Sequence, residues 1–412
     1  MRKVYLDHSA TTPVDARVLE AMLPYLRGQF GNASSIHQFG QEARAAVDRA
    51  RRSVASLINA QANEMVFTSG GTEGNNLAIR GICEATQMHG RHIITSAIEH
   101  PSVRGVLDYL EKQGWSVTRL PVYHDGIVHL EDVRAAVREE TVLISVMMAN
   151  NEIGTIQPVH EIGALIRAER AAGRKHLWFH TDAVQAAGRL EIDVQSIGCD
   201  LLSLSAHKIY APKGTGALFI RRSVRLFPQQ VGGHQERERR AGTESVANIV
   251  AFGAAAELAA SEMKERNAHT RRLRDKFEKE IKAKIKRIIF NGDRERRLPH
   301  LSNVSFRFVE GEGLLIHLDM QGVAVSTGSA CSSGTLEPSP VIRALHSDEE
   351  LARGAIRFSF GKDNTETDVE YTVDALSRSV ESLRTISPLG KKDAGYRTAG
   401  GSERITNEIP HS

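Results

Sequence analysis

The sequence predicts an α/β fold, in which a large domain with a mainly parallel sheet is followed by a smaller α+β C-terminal domain. Up to Lys208, apolar runs of strand length alternate with segments of helical spacing, which is the pattern of a parallel sheet covered by helices. One run, 141–149, is almost wholly apolar, as expected for a strand buried on both faces. The chain also has 412 residues, which is too long for one compact core, so two domains are expected.

Hydrophobic periodicity and turn residues place the elements in order. In the large domain the expected strands are 65–68, 92–96, 117–122, 141–149, 177–181, 200–204 and 217–220, and the expected helices are 14–28, 41–58, a helix continuing through 77–80, 103–112, 130–138, 158–172 and 244–265. In the smaller domain the expected strands lie near 303–308, 323–326 and 355–359, and the expected helices are 312–320, 338–345 and 366–385.

The composition changes near residue 265, where an Ala-rich helical segment gives way to a more highly charged one. We therefore expect a large domain at 14–265 and a small domain made of 1–13 and 266–386. Residues 387–412 are dominated by Gly, Lys, Ser, Arg and Thr, so we expect a disordered tail there.

Bulk composition limits the possible partners. With 53 basic and 50 acidic side chains the net charge is +3, which gives no reason to expect nucleic acid or an anionic membrane as the main partner. No apolar run reaches the roughly 20 residues of a membrane helix, and no apolar signal core follows the N-terminus, so a cytoplasmic protein is expected. Cys83, Cys199 and Cys331 are widely spaced, which argues against a disulfide framework and against a metal site.

Polar residues follow the apolar strands at five points: Thr72, His100, Asn151, Asp182 and Ser205. In parallel sheets, ligands bind beyond the carboxyl ends of the strands. These side chains are therefore expected to converge on one edge of the sheet and to form a binding site there.

Lys208 follows the strand that begins at Asp200 and precedes a Pro/Gly turn. Burial at such a strand end disfavours the charged amine, and a neutral amine can attack an aldehyde to form a Schiff base. The alternative is an ordinary surface lysine in a loop between strands.

A Gly-rich turn at 69–76 lies between a strand and a helix, so its N–H groups and the helix dipole could hold a phosphate. The alternative is a plain tight connection. His100, just before another helix, could equally serve only as a capping residue. The Arg-rich loop 232–243 is either a solvated loop or an anion site at a subunit contact.

Cys331 lies in the run 326–335, in which every residue is small. Small side chains give a loop little to pack with, so we expect this one to be mobile and to display its cysteine. Cys83 and Cys199 are expected to be buried in the core instead.

Together these stretches resemble a cysteine desulfurase of the NifS/IscS group, which belongs to the class-V aminotransferase family of pyridoxal-phosphate (PLP) enzymes of fold type I. The resemblance covers about residues 1–385. The matching stretches are YLDHSATTP (5–13), SGGTEGNN (69–76), EHPSV (99–103), NNEIG (150–154), HTDAVQ (180–185), SLSAHK (203–208), GSACSSG (328–334) and RFSFG (357–361).

The resemblance implies a role for each matching residue. Lys208 would carry the cofactor, Asp182 would pair with its pyridine nitrogen, His100 would stack on its ring, and Gln185 would bond its phenolic oxygen. The residues that would hold its phosphate are Gly71, Thr72, Ser205 and His207, together with Thr243 of a partner subunit in a homodimer. Asn151 and Arg357 would bind the substrate carboxylate.

The implied reaction converts L-cysteine to L-alanine. Lys208 would remove the Cα proton, and Cys331 would take the sulfur as a persulfide and pass it to an acceptor protein. An iron–sulfur scaffold, which could also receive a cluster through Cys331, is one candidate acceptor, and the pathway could be iron–sulfur cluster assembly, other thio-cofactors or tRNA thiolation. An aminotransferase, a selenocysteine lyase or a non-catalytic relative remain alternatives.

The sequence departs from the family pattern at three places. His234 and Glu238 stand where glycines are usual, the stretch 167–176 is slightly longer, and the tail does not resemble the segment that contacts the scaffold in scaffold-serving relatives.

Overall fold

The computed structural model describes residues 2–327 and 338–386, and the elements below are those of these ranges. The helices are α1 (Ala16–Leu26), α2 (Gln38–Ser56), α3 (Gly71–Thr86), α4 (Pro101–Lys112), α5 (Leu130–Ala136), α6 (Val159–Ala171), α7 (Val194–Ile197), α8 (Val246–Lys284), α9 (Gly311–Asp319), α10 (Pro340–Leu345), α11 (Glu349–Arg353) and α12 (Glu366–Ile386). The strands are β1 (Val4–Tyr5), β2 (Met65–Thr68), β3 (His92–Ser96), β4 (Ser116–Leu120), β5 (Thr141–Ser145), β6 (Trp178–Asp182), β7 (Leu201–Ser205), β8 (Gly216–Ile220), β9 (Ile288–Phe290), β10 (Leu301–Phe306), β11 (Val323–Ala324) and β12 (Ala355–Ser359).

The large sheet has the strand order β2-β8-β7-β6-β5-β3-β4, and β8 is antiparallel to both of its neighbours. The strands from β7 to β4 pair in parallel. Strands β3, β5, β6 and β7 are almost wholly buried, as expected for strands in the middle of a helix-covered sheet, and β5 and β7 are apolar at three of their five positions. The predicted α/β fold with a mainly parallel sheet is confirmed.

Several predicted boundaries differ from those observed, and the structure explains two of the differences. Strand β5 ends at Ser145 and not at residue 149, although Val146 and Met148 still donate backbone hydrogen bonds toward β6, to His180 O and Asp182 O. Helix α2 begins at Gln38, three residues before the prediction, because the preceding His37 caps it by accepting a hydrogen bond from Gly40 N.

The C-terminal part of the chain carries a smaller antiparallel sheet of order β12-β10-β9, and β1 pairs in parallel with β11. The strand β9 and the short helix α11 were not predicted, because each is only a few residues long. Helix α8 runs unbroken across residue 265. Its first half packs in one core through Phe252 and its second half in another through Phe277, so the division into domains at residue 265 stays a prediction.

Among the described helices, α8 has the length and composition to cross a membrane. However, Phe252 and Phe277 are at most 1% exposed and pack against strands and helices of the two cores. A buried core helix of a soluble protein passes the same test of length and composition, so α8 is a core helix.

Candidate active site

A cavity of about 340 Å³ lies beyond the carboxyl ends of strands β5, β6 and β7. The residues predicted from the sequence that line it are Gly71, Thr72, His100, Asn151, Asp182, Gln185, Ser205, His207, Lys208 and Arg357. The five polar strand ends therefore converge as expected, because neighbouring parallel strands end at the same edge of the sheet.

Lys208 enters this cavity from a single 3₁₀ turn, Ala206–Lys208, that follows β7 directly. Its Nζ donates hydrogen bonds to the backbone oxygens of Ser9 at 2.6 Å and Ala10 at 2.7 Å. The N-terminal segment is held against this turn, since Thr12 donates to His207 O through both its N–H (3.0 Å) and its hydroxyl (2.9 Å). The first residues of the chain thus form one wall of the site and position the lysine.

Asp182 ends β6, and both of its carboxylate oxygens accept hydrogen bonds. Asn75 Nδ2 donates to Oδ2 at 2.7 Å, and Val184 N donates to Oδ1 at 2.9 Å. Asn75 Nδ2 also donates to Ser102 Oγ at 2.8 Å, and Ser102 lies within 2.8 Å of His100 Nδ1. The amide of Asn75 therefore connects Asp182 to His100 through Ser102.

His100 caps helix α4 by accepting a hydrogen bond from Ser102 N at 3.1 Å, and it also lines the cavity. Burial lowers the pKa of His100, and although Asp182 opposes this shift, the charges of Lys208 and Arg104 add to it. The ring is therefore neutral near pH 7. The capping role and the predicted ring-stacking role are compatible, because the cap uses only Nδ1.

Gly71 and Gln185 suit the expected cofactor. A Cβ on Gly71 would lie 2.8 Å from Val184 Cγ2, so any other residue would disturb the cavity wall. Gln185 Nε2 donates to Ser9 O at 2.9 Å, whereas its buried Oε1 has no hydrogen-bond partner among the described residues. A buried polar atom without a partner is costly, and a bound ring with polar substituents would supply one.

The start of α3 forms the other end of the cavity. Its first-turn N–H groups, at Gly71 and Thr72, belong to the helix end that favours anions. His207 Nδ1 lies 3.1 Å from Thr11 Oγ1. Burial, aided by the charges of Lys208 and Lys213, lowers the pKa of His207 to about 4. This end of the cavity thus combines helix N–H groups with a neutral imidazole and can hold a phosphate.

Arg357 and Asn151 both line the cavity and contact each other. Arg357 Nη1 donates to Asn151 O at 2.9 Å, and its Nη2 donates to Asp7 Oδ1 at 2.7 Å. The side chain of Arg357 is only 4% exposed, and its Nε is buried without a partner among the described residues. The guanidinium is therefore fixed in orientation and suits a small carboxylate.

One predicted residue that the structure describes does not line this cavity. Thr243 lines a separate cavity of about 100 Å³ with Ser69 and Arg240, on the other side of the turn before α3. Cys331 lies outside the described residues.

The sequence reading missed Ser9, Asn75 and Ser102. All three lie inside or next to the stretches that carried the family resemblance, which was the signal available. Among residues 2–327 and 338–386 no group of His, Cys, Asp and Glu is arranged to hold a metal ion, and a metal-free reaction stays a prediction.

Comparison with known proteins agrees with this geometry. The family model described as Aminotransferase class-V matches residues 4–372. The chain is 50% identical to a cysteine desulfurase IscS of Dictyoglomus turgidum over 94% of this chain and 97% of that protein. Among solved structures, a NifS-like protein matches with a TM-score of 0.86 and 35% identity over 92% of this chain and 100% of that chain. A structure titled "SspA in complex with cysteine" matches with a TM-score of 0.76 and 34% identity over 88% of this chain and 100% of that chain.

These matches extend over nearly the whole chain, and one cavity of the chain is lined by a lysine, an aspartate, a histidine and an arginine. The chain therefore belongs to the class-V aminotransferase family, as a PLP-dependent cysteine desulfurase of its NifS/IscS group.

Proposed function

We propose that this cysteine desulfurase uses Lys208 to move the substrate proton and Cys331 to accept the sulfur. The observation that carries the proposal is the meeting of Lys208, Asp182, His100 and Arg357 in one cavity. An amine, a carboxylate, a neutral imidazole and a carboxylate-binding guanidinium are the groups that a PLP enzyme acting on an amino acid needs.

Bound PLP supplies an electron sink that makes the Cα proton of an amino acid removable. His100 would hold its ring, Asp182 its ring nitrogen and Gln185 its phenolic oxygen, and the start of α3 would hold its phosphate. Asp182 is suited to keep a ring nitrogen protonated, because its own orientation is fixed by Asn75 and Val184.

Arg357 and Asn151 would orient the substrate. The carboxylate of L-cysteine would bind the guanidinium of Arg357, whose Nη1 and Nη2 are held by Asn151 O and Asp7. Because Lys208 lines the same cavity, its Nζ would take the Cα proton and return a proton to the product. The match to SspA, which was solved with cysteine, supports the substrate.

Cys331 would then attack the sulfur of the substrate as a thiolate. The new bond joins the two sulfur atoms, the Cβ–S bond of cysteine breaks, and the electron pair of that bond remains with Cβ, which is protonated. In sum one thiol and one L-cysteine give one persulfide and one L-alanine, so neither an oxidant nor a reductant is consumed.

The acceptor is an iron–sulfur scaffold or another sulfur-accepting protein, and the enzyme acts in the cytoplasm as a homodimer. Two features support a dimer. Phe30, Ile36 and Phe39 form an exposed apolar surface, with Ile36 91% exposed. Thr243 lines a cavity separate from the cofactor cavity of its own subunit, so the phosphate contact expected of Thr243 would be made in a partner subunit. Size-exclusion chromatography with light scattering tests the dimer, and a monomeric mass would contradict it.

The central experiment compares wild type with Cys331→Ala and with Cys83→Ala as the matched control. All three should bind PLP and show its visible absorbance, but only Cys331→Ala should fail to form a persulfide and to deliver sulfur. Alanine and sulfide are quantified from L-cysteine, and glutamate release is measured to detect an aminotransferase. Sulfur loading of an acceptor by Cys331→Ala at the wild-type rate would refute the role of Cys331.

A further inference from the structure

Glu73 lies in the first turn of α3, where the cofactor phosphate is expected to bind. Its Oε2 accepts a hydrogen bond from Ser69 N at 2.7 Å, so the carboxylate closes the turn that leads into the helix. Arg240, from the loop 232–243, binds the same carboxylate through Nε at 2.7 Å and Nη2 at 3.3 Å. The Arg-rich loop is therefore joined to the phosphate end of the site by an ion pair.

Glu236 holds the same loop to helix α2 by an ion pair and to strand β2 by a backbone hydrogen bond. Glu236 accepts from both terminal nitrogens of Arg51, at 2.6 and 2.8 Å, and from Phe67 N at 3.0 Å. The backbone of Glu236, Arg237 and Glu238 has positive φ angles of 47°, 58° and 63°. Side chains other than Gly or Asn rarely adopt this region, so such a loop persists only where strong contacts hold it.

The charge of Glu73 presents a physical difficulty that Arg240 resolves. A phosphate that binds the start of α3 carries about two negative charges, and a bare carboxylate in the same turn would repel it. Burial would raise the pKa of Glu73, but hydrogen bonds from Arg240 and Ser69 hold it below its usual value. The carboxylate is therefore ionised, and the guanidinium of Arg240 neutralises it.

We propose that Arg240 and Glu73 are a positioning pair, which fixes the turn 69–72 and cancels the acidic charge next to the cofactor phosphate. Neither residue lines the cofactor cavity, so the pair acts through the N–H groups of Gly71 and Thr72. The inference rests on the proposed role of these two residues as phosphate binders. The proposal also gives the loop 232–243 a function in its own subunit, because the conformation of this loop would affect the affinity for the phosphate.

The test measures the affinity of cofactor-free protein for PLP and, separately, for pyridoxal, which lacks the phosphate. Arg240→Gln leaves Glu73 charged and unpaired, so the Kd for PLP should rise at least about tenfold while the Kd for pyridoxal changes less than about twofold. Adding Glu73→Gln to this variant removes the uncompensated charge, and the double variant should recover much of the loss. Arg240→Lys keeps the positive charge but lacks the planar fork, so its Kd for PLP should lie between those of the wild type and Arg240→Gln.

Arg119→Gln is the matched control, because Arg119 forms a similar two-bond pair with Glu111 at 2.7 and 2.8 Å, on α4 and β4. It should leave both affinities unchanged. Equal losses for PLP and pyridoxal in Arg240→Gln would show a general structural role and overturn the proposal, and so would the absence of any loss. If the wild type itself binds PLP no better than pyridoxal, the assignment of the phosphate site fails, and the inference fails with it.

Discussion

The amide of Asn75 donates to the carboxylate of Asp182 at 2.7 Å and to the hydroxyl of Ser102 at 2.8 Å. Asn75 is completely buried, so these bonds are shielded from water and hold the carboxylate in one orientation. If Asp182 pairs with the ring nitrogen of the cofactor as proposed, Asn75 positions the carboxylate for this contact.

Asn75→Ala is expected to raise the Kd for PLP about tenfold, because a hydrogen bond to a charged group contributes roughly 1.5–3 kcal/mol. The measurement is a titration of cofactor-free protein followed by visible absorbance. Asn76→Ala is the control, since Asn76 Nδ2 reaches only Thr72 O within its own helix. Equal affinities in wild type and Asn75→Ala would contradict the assigned role.

Glu99 gives a prediction about pH. It is 1% exposed, its Oε1 accepts from Ser96 Oγ at 2.6 Å and Met147 N at 2.9 Å, and its Oε2 has no partner among the described residues. Burial, with a smaller effect from the charge of Asp182, raises the pKa of Glu99 from 4.5 to about 8. The folded protein therefore keeps this carboxyl group protonated at pH values where the unfolded chain has lost the proton.

Glu99 stabilises the folded protein fully below pH 4.5, the ordinary pKa of a glutamate. This stabilisation is lost as the pH rises to about 8, the pKa of Glu99 in the folded protein, so the free energy of unfolding falls across this range. Within this window the loss is up to about 1.4 kcal/mol for each pH unit. Glu99→Gln stays neutral, so its free energy of unfolding relative to wild type should increase between pH 5 and 8. Urea unfolding at several pH values measures this, with exposed Glu20→Gln as the control, and a pH-independent difference for Glu99→Gln would refute the prediction.

The sequence predicts the middle of the fold and most of the cavity for one physical reason. Strands such as β5 and β7 are mostly apolar because both faces are buried, and parallel strands end at one edge, so the polar residues that follow them were expected to converge there. These features depend on local pattern and on a general rule of sheet geometry.

The features that the sequence does not predict depend on contacts between distant residues. Asn75 lies inside a helix, and no local pattern shows that it faces Asp182, which is 107 residues away. Likewise, no sequence pattern indicates that Arg240 pairs with Glu73, 167 residues away. The Arg-rich loop could therefore only be predicted to be solvated or anion-binding. Strand β9 is three residues long and forms only because β10 lies beside it.

Arg357 gives a prediction about substrate binding. Arg357→Lys removes the planar fork that Asn151 O and Asp7 hold in place, so the KM for L-cysteine should rise at least about tenfold. The Kd for PLP should stay the same, because the guanidinium is expected to bind substrate and not cofactor. Steady-state alanine formation and a PLP titration give the two values, with exposed Arg353→Lys as the control. An unchanged KM would exclude Arg357 as the carboxylate binder.

The reactivity of the cysteines is the remaining prediction. Cys83 and Cys199 are 1% and 0% exposed, and burial raises the pKa of both thiols. Because the thiolate is the nucleophile, neither should react with iodoacetamide in the native protein near pH 8. Peptide mapping should find the label on Cys331, and persulfide formation should stop as the label is incorporated. In denaturant all three cysteines should be labelled, which serves as the control. Labelling of Cys83 or Cys199 in the native protein at the rate of Cys331 would mean that burial does not select the sulfur acceptor in this chain.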